Sequence, residues 1–162
     1  MYEKKERRII SIENTRFIFR TNFSGDPDRD AFGNDARKAN IIIPDEEKAL
    51  ELREEGFNVK ETKPREGDEE DFCPTYFVPV NVNYDSEWPP KIYLVTGKNM
   101  PVLLDEDSVG VLDKIYVLNV DAVLNTYVNQ KTGRCSLYVK TMYVEQSIED
   151  DPFAGKYMNR GE

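Results

Sequence analysis

The chain has 162 residues, no histidine, two cysteines and a formal net charge of -9. That length suits one domain burying about two-thirds of its unfolded surface. The missing histidine removes the commonest general base and the commonest metal ligand together, and Cys73 and Cys135 are too few for a disulfide scaffold or an all-cysteine zinc site, so neither enzyme chemistry nor a cofactor is expected.

Met1 to Arg8 is charged and precedes no apolar run, so it reads as a mobile leader and not as a signal peptide. Ile9-Ile10-Ser11-Ile12 starts a strand that Asn14-Thr15 bends. Arg16 to Phe23 then alternates, with Phe17, Phe19, Thr21 and Phe23 on one face and Arg16, Ile18, Arg20 and Asn22 on the other. The phenylalanine face is expected in the core. Ser24 to Asp35, rich in Gly, Asp and Pro, is a loop. Its Asp26-Pro27-Asp28-Arg29-Asp30 string has part of a calcium loop's spacing but lacks the following Gly and the distal Glu. The aspartates are read as bending and solvating the loop.

Ala36 to Ile43 is the next strand. Pro44-Asp45-Glu46-Glu47 then opens a helix, with Asp45 capping the free amides, and Gly56 supplies the stop after Glu55. Ala49, Leu50 and Leu52 give it a narrow apolar stripe, which suits a surface helix over one end of a sheet. Phe57 to Lys60 is a short strand, and Glu61 to Phe72 an acidic connector.

Thr75 to Tyr84 alternates, and Pro79 in its middle marks an edge strand or a bulge. Asp85 to Pro90 is a turn presenting Trp88. Lys91 to Thr96, the turn Gly97-Lys98-Asn99 and Val102 to Leu104 form a hairpin, and Asp105 to Asp113 has room for one or two helical turns. Ile115 to Val128 and Arg134 to Glu145 alternate on either side of Asn129-Gln130-Lys131-Thr132-Gly133, which predicts a long antiparallel hairpin. One arrangement packs Leu118, Val120, Ala122, Leu124, Leu137, Val139 and Tyr143 inward. It leaves Asn125, Tyr127, Tyr138, Lys140 and Met142 outward.

The expected fold is mainly β (α+β by the count of one helix): a partly open antiparallel barrel with one surface helix and an acidic C-terminal tail. No stretch approaches the roughly 20 apolar residues of a membrane span.

The negative charge is uneven. Residues 61–71 hold six acids and two bases, and residues 145–162 hold five acids and two bases, which leaves -2 for all the rest. A near-neutral body can gather its Lys and Arg on one face, although solvated strands carry such residues too. Single-stranded nucleic acid is bound by stacking bases on aromatic rings while cations track the phosphates. The residues in that pattern are Arg16, Arg20, Arg37, Lys38, Trp88, Lys91, Tyr93, Lys98, Tyr127, Lys131, Arg134, Tyr138 and Lys140. Trp88 has two readings, as a cover for the barrel end or as a platform for a base.

Three parts of the chain carry a family likeness. They are the first strand Thr15-Arg16-Phe17-Ile18-Phe19, the strand Ala39-Asn40-Ile41-Ile42-Ile43-Pro44 running straight into a helix, and the last hairpin with its acidic tail. Together they resemble the phage-type single-stranded DNA-binding proteins with an oligonucleotide-binding fold (OB-fold). The resemblance implies a hairpin closing a five-stranded barrel and a role in phage DNA replication or recombination in the cytoplasm of a bacterial host. It also implies a tail that recruits replication or recombination proteins and competes with DNA for the basic groove.

The tail match covers Glu149 to Phe153, so Glu149, Asp150, Asp151 and Phe153 are the candidate partner contacts, with Ala154 to Glu162 following. The domain would span 1–146 and the tail 147–162. Phe153 either fills a partner's pocket or latches onto the barrel. Two other classes stay open: an acidic inhibitor that mimics DNA to block a host nuclease or defence complex, and an assembly protein that packs against its own copies. DNA mimicry is disfavoured because the acids concentrate in a connector and a tail. The sequence leaves monomer and symmetric homodimer equally open.

Overall fold

The computed structural model describes residues 9–29, 33, 36–64, 67, 70 and 72–147. The leader 1–8 and the tail carrying Glu149, Asp150, Asp151 and Phe153 lie outside the described residues. In chain order the strands are β1 (Ile9–Thr15), β2 (Phe17–Asn22), β3 (Arg37–Ile43), β4 (Lys60–Glu61), β5 (Tyr76–Val82), β6 (Lys91–Thr96), β7 (Val102–Leu104), β8 (Val117–Val128) and β9 (Cys135–Gln146), with helix α1 (Glu46–Glu54) after β3. Their hydrogen-bonded path runs β1-β8-β9-β5-β3-β2.

β1 and β2 are one strand broken by a bend, and that bend brings the two edges of the sheet together. Ile10 and Ile12 of β1 point into the core and pair with Leu124 and Ala122 of β8. Asn14 then takes a left-handed φ of 54°, a conformation Asn tolerates better than most residues, and its N–H donates to Asp121 Oδ1 at 2.8 Å. Beyond the bend the chain changes partner. Thr15 Oγ1 donates to the Ile42 carbonyl at 2.6 Å, the Ile42 N–H donates to the Arg16 carbonyl at 3.0 Å, and Phe17 pairs with Ile41 of β3.

The wall is open elsewhere, between β5 and β9. They run parallel and meet in register only at Asn81↔Tyr138, whereas β6 runs parallel to the far half of β9 from Lys91↔Thr141 to Thr96↔Gln146. The result is the partly open, mainly β barrel expected, with parallel contacts on one flank of β9. α1 closes one end by burying Ala49 and Leu52, while Leu50 of the expected stripe is exposed. Asp45 Oδ1 caps the helix by accepting from the Glu47 N–H. At the other terminus the Phe57 N–H donates to the Leu52 carbonyl and the Gly56 N–H to the Arg53 carbonyl, with Gly56 at φ 102°. That paired hydrogen bonding closes a helix around a left-handed glycine.

Several expectations are corrected. The strand expected at Phe57 to Lys60 is Lys60–Glu61, preceded by an isolated bridge from Phe57 to Cys135. Pro79 lies in a strand with neighbours on both sides, not on an edge. It pairs with Asn40 of β3, and its other flank falls between the β4 partners at Tyr76 and Phe77 and the β9 partner at Asn81. The missing proline N–H thus sits where the ladder is already interrupted.

Phe19 is 64 % exposed, not in the core. The register jumps from Ile18↔Asn40 to Asn22↔Lys38, and Phe19 takes a φ of 62°, so its ring turns outward and meets Phe77 edge-on at 5.2 Å. Thr21, Asn22 and Phe23 then turn inward together. Asp113 holds them there, accepting from Thr21 Oγ1 and from the N–H groups of Phe23 and Ser24 at 2.7, 2.9 and 2.9 Å. Gly110, in the 3-10 turn Val109–Asp113, permits this approach, since a Cβ there would lie 3.0 Å from Ser24 Cβ.

The β8–β9 hairpin carries two further corrections. Its register steps from Val123↔Thr141 to Leu124↔Val139, so Lys140 is the extra residue of a β-bulge. Leu137 and Val139 point inward before it, Met142 and Val144 after it. A second step from Val117↔Gln146 to Asn119↔Glu145 makes Leu118 another extra residue. Hence Met142 is buried, while Tyr143 and Leu118 are exposed, the reverse of a simple alternation.

Candidate nucleic-acid interface

The bulge at Lys140 completes an aromatic outer surface on the barrel. It turns Tyr143 to the same side as Tyr138, and register with the neighbouring strands completes two cross-strand rows. One row is Asn125, Tyr138, Asn81 and Lys38 across β8, β9, β5 and β3. The other is Asp121, Tyr143, Tyr93 and Leu103 across β8, β9, β6 and β7. Between them lie Thr141 and, beside it on β6, the exposed Lys91.

The tyrosines form two ring pairs. Tyr93 and Tyr143 stack with centroids 4.8 Å apart and planes 10° apart, and Tyr127 meets Tyr138 edge-on at 6.4 Å. Tyr127 and Tyr143 are exposed, and Lys140 stands exposed at the bulge. Asp121 puts a carboxylate in the second row, but its oxygens accept from the Asn14 N–H and from Asn119 Nδ2, so it holds the β1 bend.

The hairpin tip adds two cations. Asn129 Oδ1 accepts from the N–H groups of Lys131 and Thr132, and the Gly133 N–H returns to the Asn129 carbonyl with Gly133 at φ 72°. That hydrogen bonding orders the turn and leaves Lys131 and Arg134 exposed. Arg134 also borders a groove of about 580 Å³ in the β5–β9 opening, which Pro79, Asn81, Ser136 and Leu137 line in part.

The remaining candidates scatter. Trp88 is 78 % exposed in the β5–β6 connection and therefore does not cover the barrel end. Lys98 is exposed in the β6–β7 turn, and Arg16 and Arg20 are exposed at the β1–β2 bend and on β2, three strands from β9 along the sheet path. Lys38 is half-buried on the tyrosine side. Arg37 alternates to the opposite side, where Nη1 donates to the Phe23 carbonyl at 2.6 Å and the guanidinium lies 5.4 Å over the Tyr84 ring.

Sequence reasoning thus missed Tyr143, Asn81 and Tyr84. A signal for Tyr143 was present: the apolar pairs Leu137/Val139 and Met142/Val144 are out of phase, which marks a bulge between them. Among the described residues no helix is long and apolar enough to cross a membrane, and no group of three or more Cys, Asp or Glu is placed to hold a metal ion.

A sequence search of curated proteins finds no match. Among solved structures the chain is similar to the single-stranded DNA-binding protein from bacteriophage Enc34, with 13% identity over 86% of this chain and 81% of that one and a TM-score of 0.47. It is also similar to gp2.5, a single-stranded DNA-binding protein encoded by bacteriophage T7, with 13% identity over 96% of this chain and 98% of that one and a TM-score of 0.40. The family described as "Putative phage ssDNA-binding domain" matches residues 1–160, and the chain belongs to that family.

Proposed function

We propose that the protein binds single-stranded DNA along the outer face of β8, β9 and β6, serves phage DNA replication or recombination, and recruits partner proteins through residues 147–162. The observation that carries the binding reading is the pairing of Tyr127 with Tyr138 and of Tyr143 with Tyr93 on one face, with Lys140 and Lys91 between them. Each stacked base contributes about 1–3 kcal/mol and every base has a face to stack, so binding is tolerant of sequence. Lys38, Lys131 and Arg134 extend the cationic track from β3 to the hairpin tip. In the tail, Glu149, Asp150 and Asp151 steer a partner's approach and Phe153 anchors it.

Titration with an unstructured oligonucleotide at several salt concentrations tests the binding. With about five phosphate contacts, log K should fall with log salt at a slope near -3.5. Folded protein that fails to bind a long oligonucleotide at low salt would remove the reading. Removal of residues 149–162 should leave the barrel folded, tighten DNA binding and abolish capture of a replication or recombination protein. Unchanged capture would dismiss the recruiting tail.

A further inference from the structure

Arg37 is held in a form ready for an anion. One edge of its guanidinium is spent on the Phe23 carbonyl and one face on the Tyr84 ring, leaving the side chain 19 % exposed. Its other terminal nitrogen, Nη2, meets Glu106 Oε1 at 3.9 Å, within ion-pair range but too long for a hydrogen bond. A groove of about 410 Å³ runs alongside, and Asn81 and Tyr138 of the tyrosine-bearing row line it together with Arg37, Tyr84 and Ser24. The groove therefore joins the outer face to Arg37.

A second observation points to an occupant. The Tyr84 hydroxyl is buried and has no hydrogen-bond partner among the described residues. A buried polar group left unpaired is costly, and an ion or water held at the site is one way a native fold meets that cost. Burial pushes the Tyr84 phenol up to about 12, with Glu106 and Asp105 adding to the rise against Arg37, so it remains a donor at working pH. Arg37 and Tyr84 both line the groove, and a guanidinium and a hydroxyl are donors that a phosphate oxygen accepts from.

Glu106 reaches this place on a built turn. Asp105 Oδ1 accepts from the N–H groups of Asp107 and Ser108 and from the Ser108 hydroxyl, and those bonds hold its carboxyl below the usual range. We propose that the Arg37–Tyr84 groove is a phosphate subsite of the DNA track, and that Glu106 occupies it as an internal competitor until a strand displaces it. This inference rests on the single-stranded DNA reading above. The ligand group is a phosphate monoester at a strand end or a diester within the strand.

The test uses the full chain and an oligothymidylate at low salt. Glu106→Gln should bind about 3- to 5-fold tighter than wild type, the worth of a loose, partly exposed ion pair. Glu54→Gln, the same charge change on exposed α1, should stay within about 2-fold. The gain should vanish in an Arg37→Met background. Tyr84→Phe supplies an arm independent of Arg37's packing: it should raise Tm while weakening DNA binding, a combination that a packing role does not produce. A gain confined to 5′-phosphorylated strands assigns the subsite to the monoester, and an equal gain on 5′-hydroxyl strands assigns it to the diester. Equal effects of Glu106→Gln and Glu54→Gln, or unchanged affinity in Tyr84→Phe, would overturn the subsite. Wild-type protein that binds no strand at all would instead defeat the underlying DNA reading.

Discussion

Simultaneous replacement of Lys131, Arg134 and Lys140 by alanine is expected to weaken single-stranded DNA binding by several hundred-fold at low salt. Each lost phosphate contact is worth about 1–1.5 kcal/mol, the upper half of the ordinary hydrogen-bond range and no more, because these side chains are exposed and their charges stay hydrated. The log–log salt slope should flatten by about 2. Stability should hardly change, because all three side chains are exposed and the turn is ordered by Asn129 and Gly133 instead. Affinity and melting temperature measured on the same samples check this. Unchanged affinity with an unchanged slope would move the interface off the hairpin.

The second large effect concerns stability and separates two phenylalanines four residues apart. Phe23→Ala should cost about 3–5 kcal/mol, since its ring is fully buried and packs on Phe17 at 5.2 Å. Phe19→Gly should cost little or even stabilise. It loses an exposed ring's contact with Phe77 but relieves a left-handed φ worth about 1–2 kcal/mol. Urea titrations of the two variants decide it. A cost above about 2 kcal/mol for Phe19→Gly would mean that the Phe77 contact outweighs the backbone relief.

The contrast shows what the sequence could reveal. Local signals were legible: Asp45 and Gly56 delimit α1, Asn129 to Gly133 turns the last hairpin, and Asn14 bends the first strand. Each acts through neighbouring backbone, so neighbouring residues announce it. Positions governed by register were not. A strict two-residue period placed Phe19 and Tyr143 inside and Met142 outside; the left-handed φ at Phe19 turns that ring outward while Thr21 and Phe23 stay buried, whereas the extra residue at Lys140 inverts Met142 and Tyr143 beyond it.

For the candidate interface, residue types were legible and their grouping was not. Tyr127, Tyr138, Lys140, Tyr93 and Lys91 do share one face, through the β6–β9 pairing, which joins segments about fifty residues apart. Arg37 was read as one more surface cation, and only packing reveals its hold on Phe23 and Tyr84.

The bent first strand also dictates when the barrel can form. β8 and β9 are joined by a short turn and can zip locally, whereas the Asn14–Asp121 contact spans 107 residues. The entropy of closing so long a loop must be met before β1 pairs with β8, so the hairpin nucleates and β1 docks late. Chevron analysis should then give a φ-value well above 0.5 for Leu137→Ala and near zero for Ile10→Val, with comparable values at both sites arguing against this order. Until β1 docks, β8 presents an unpaired edge to other chains, so the last step of folding is also the one that closes an aggregation-prone edge.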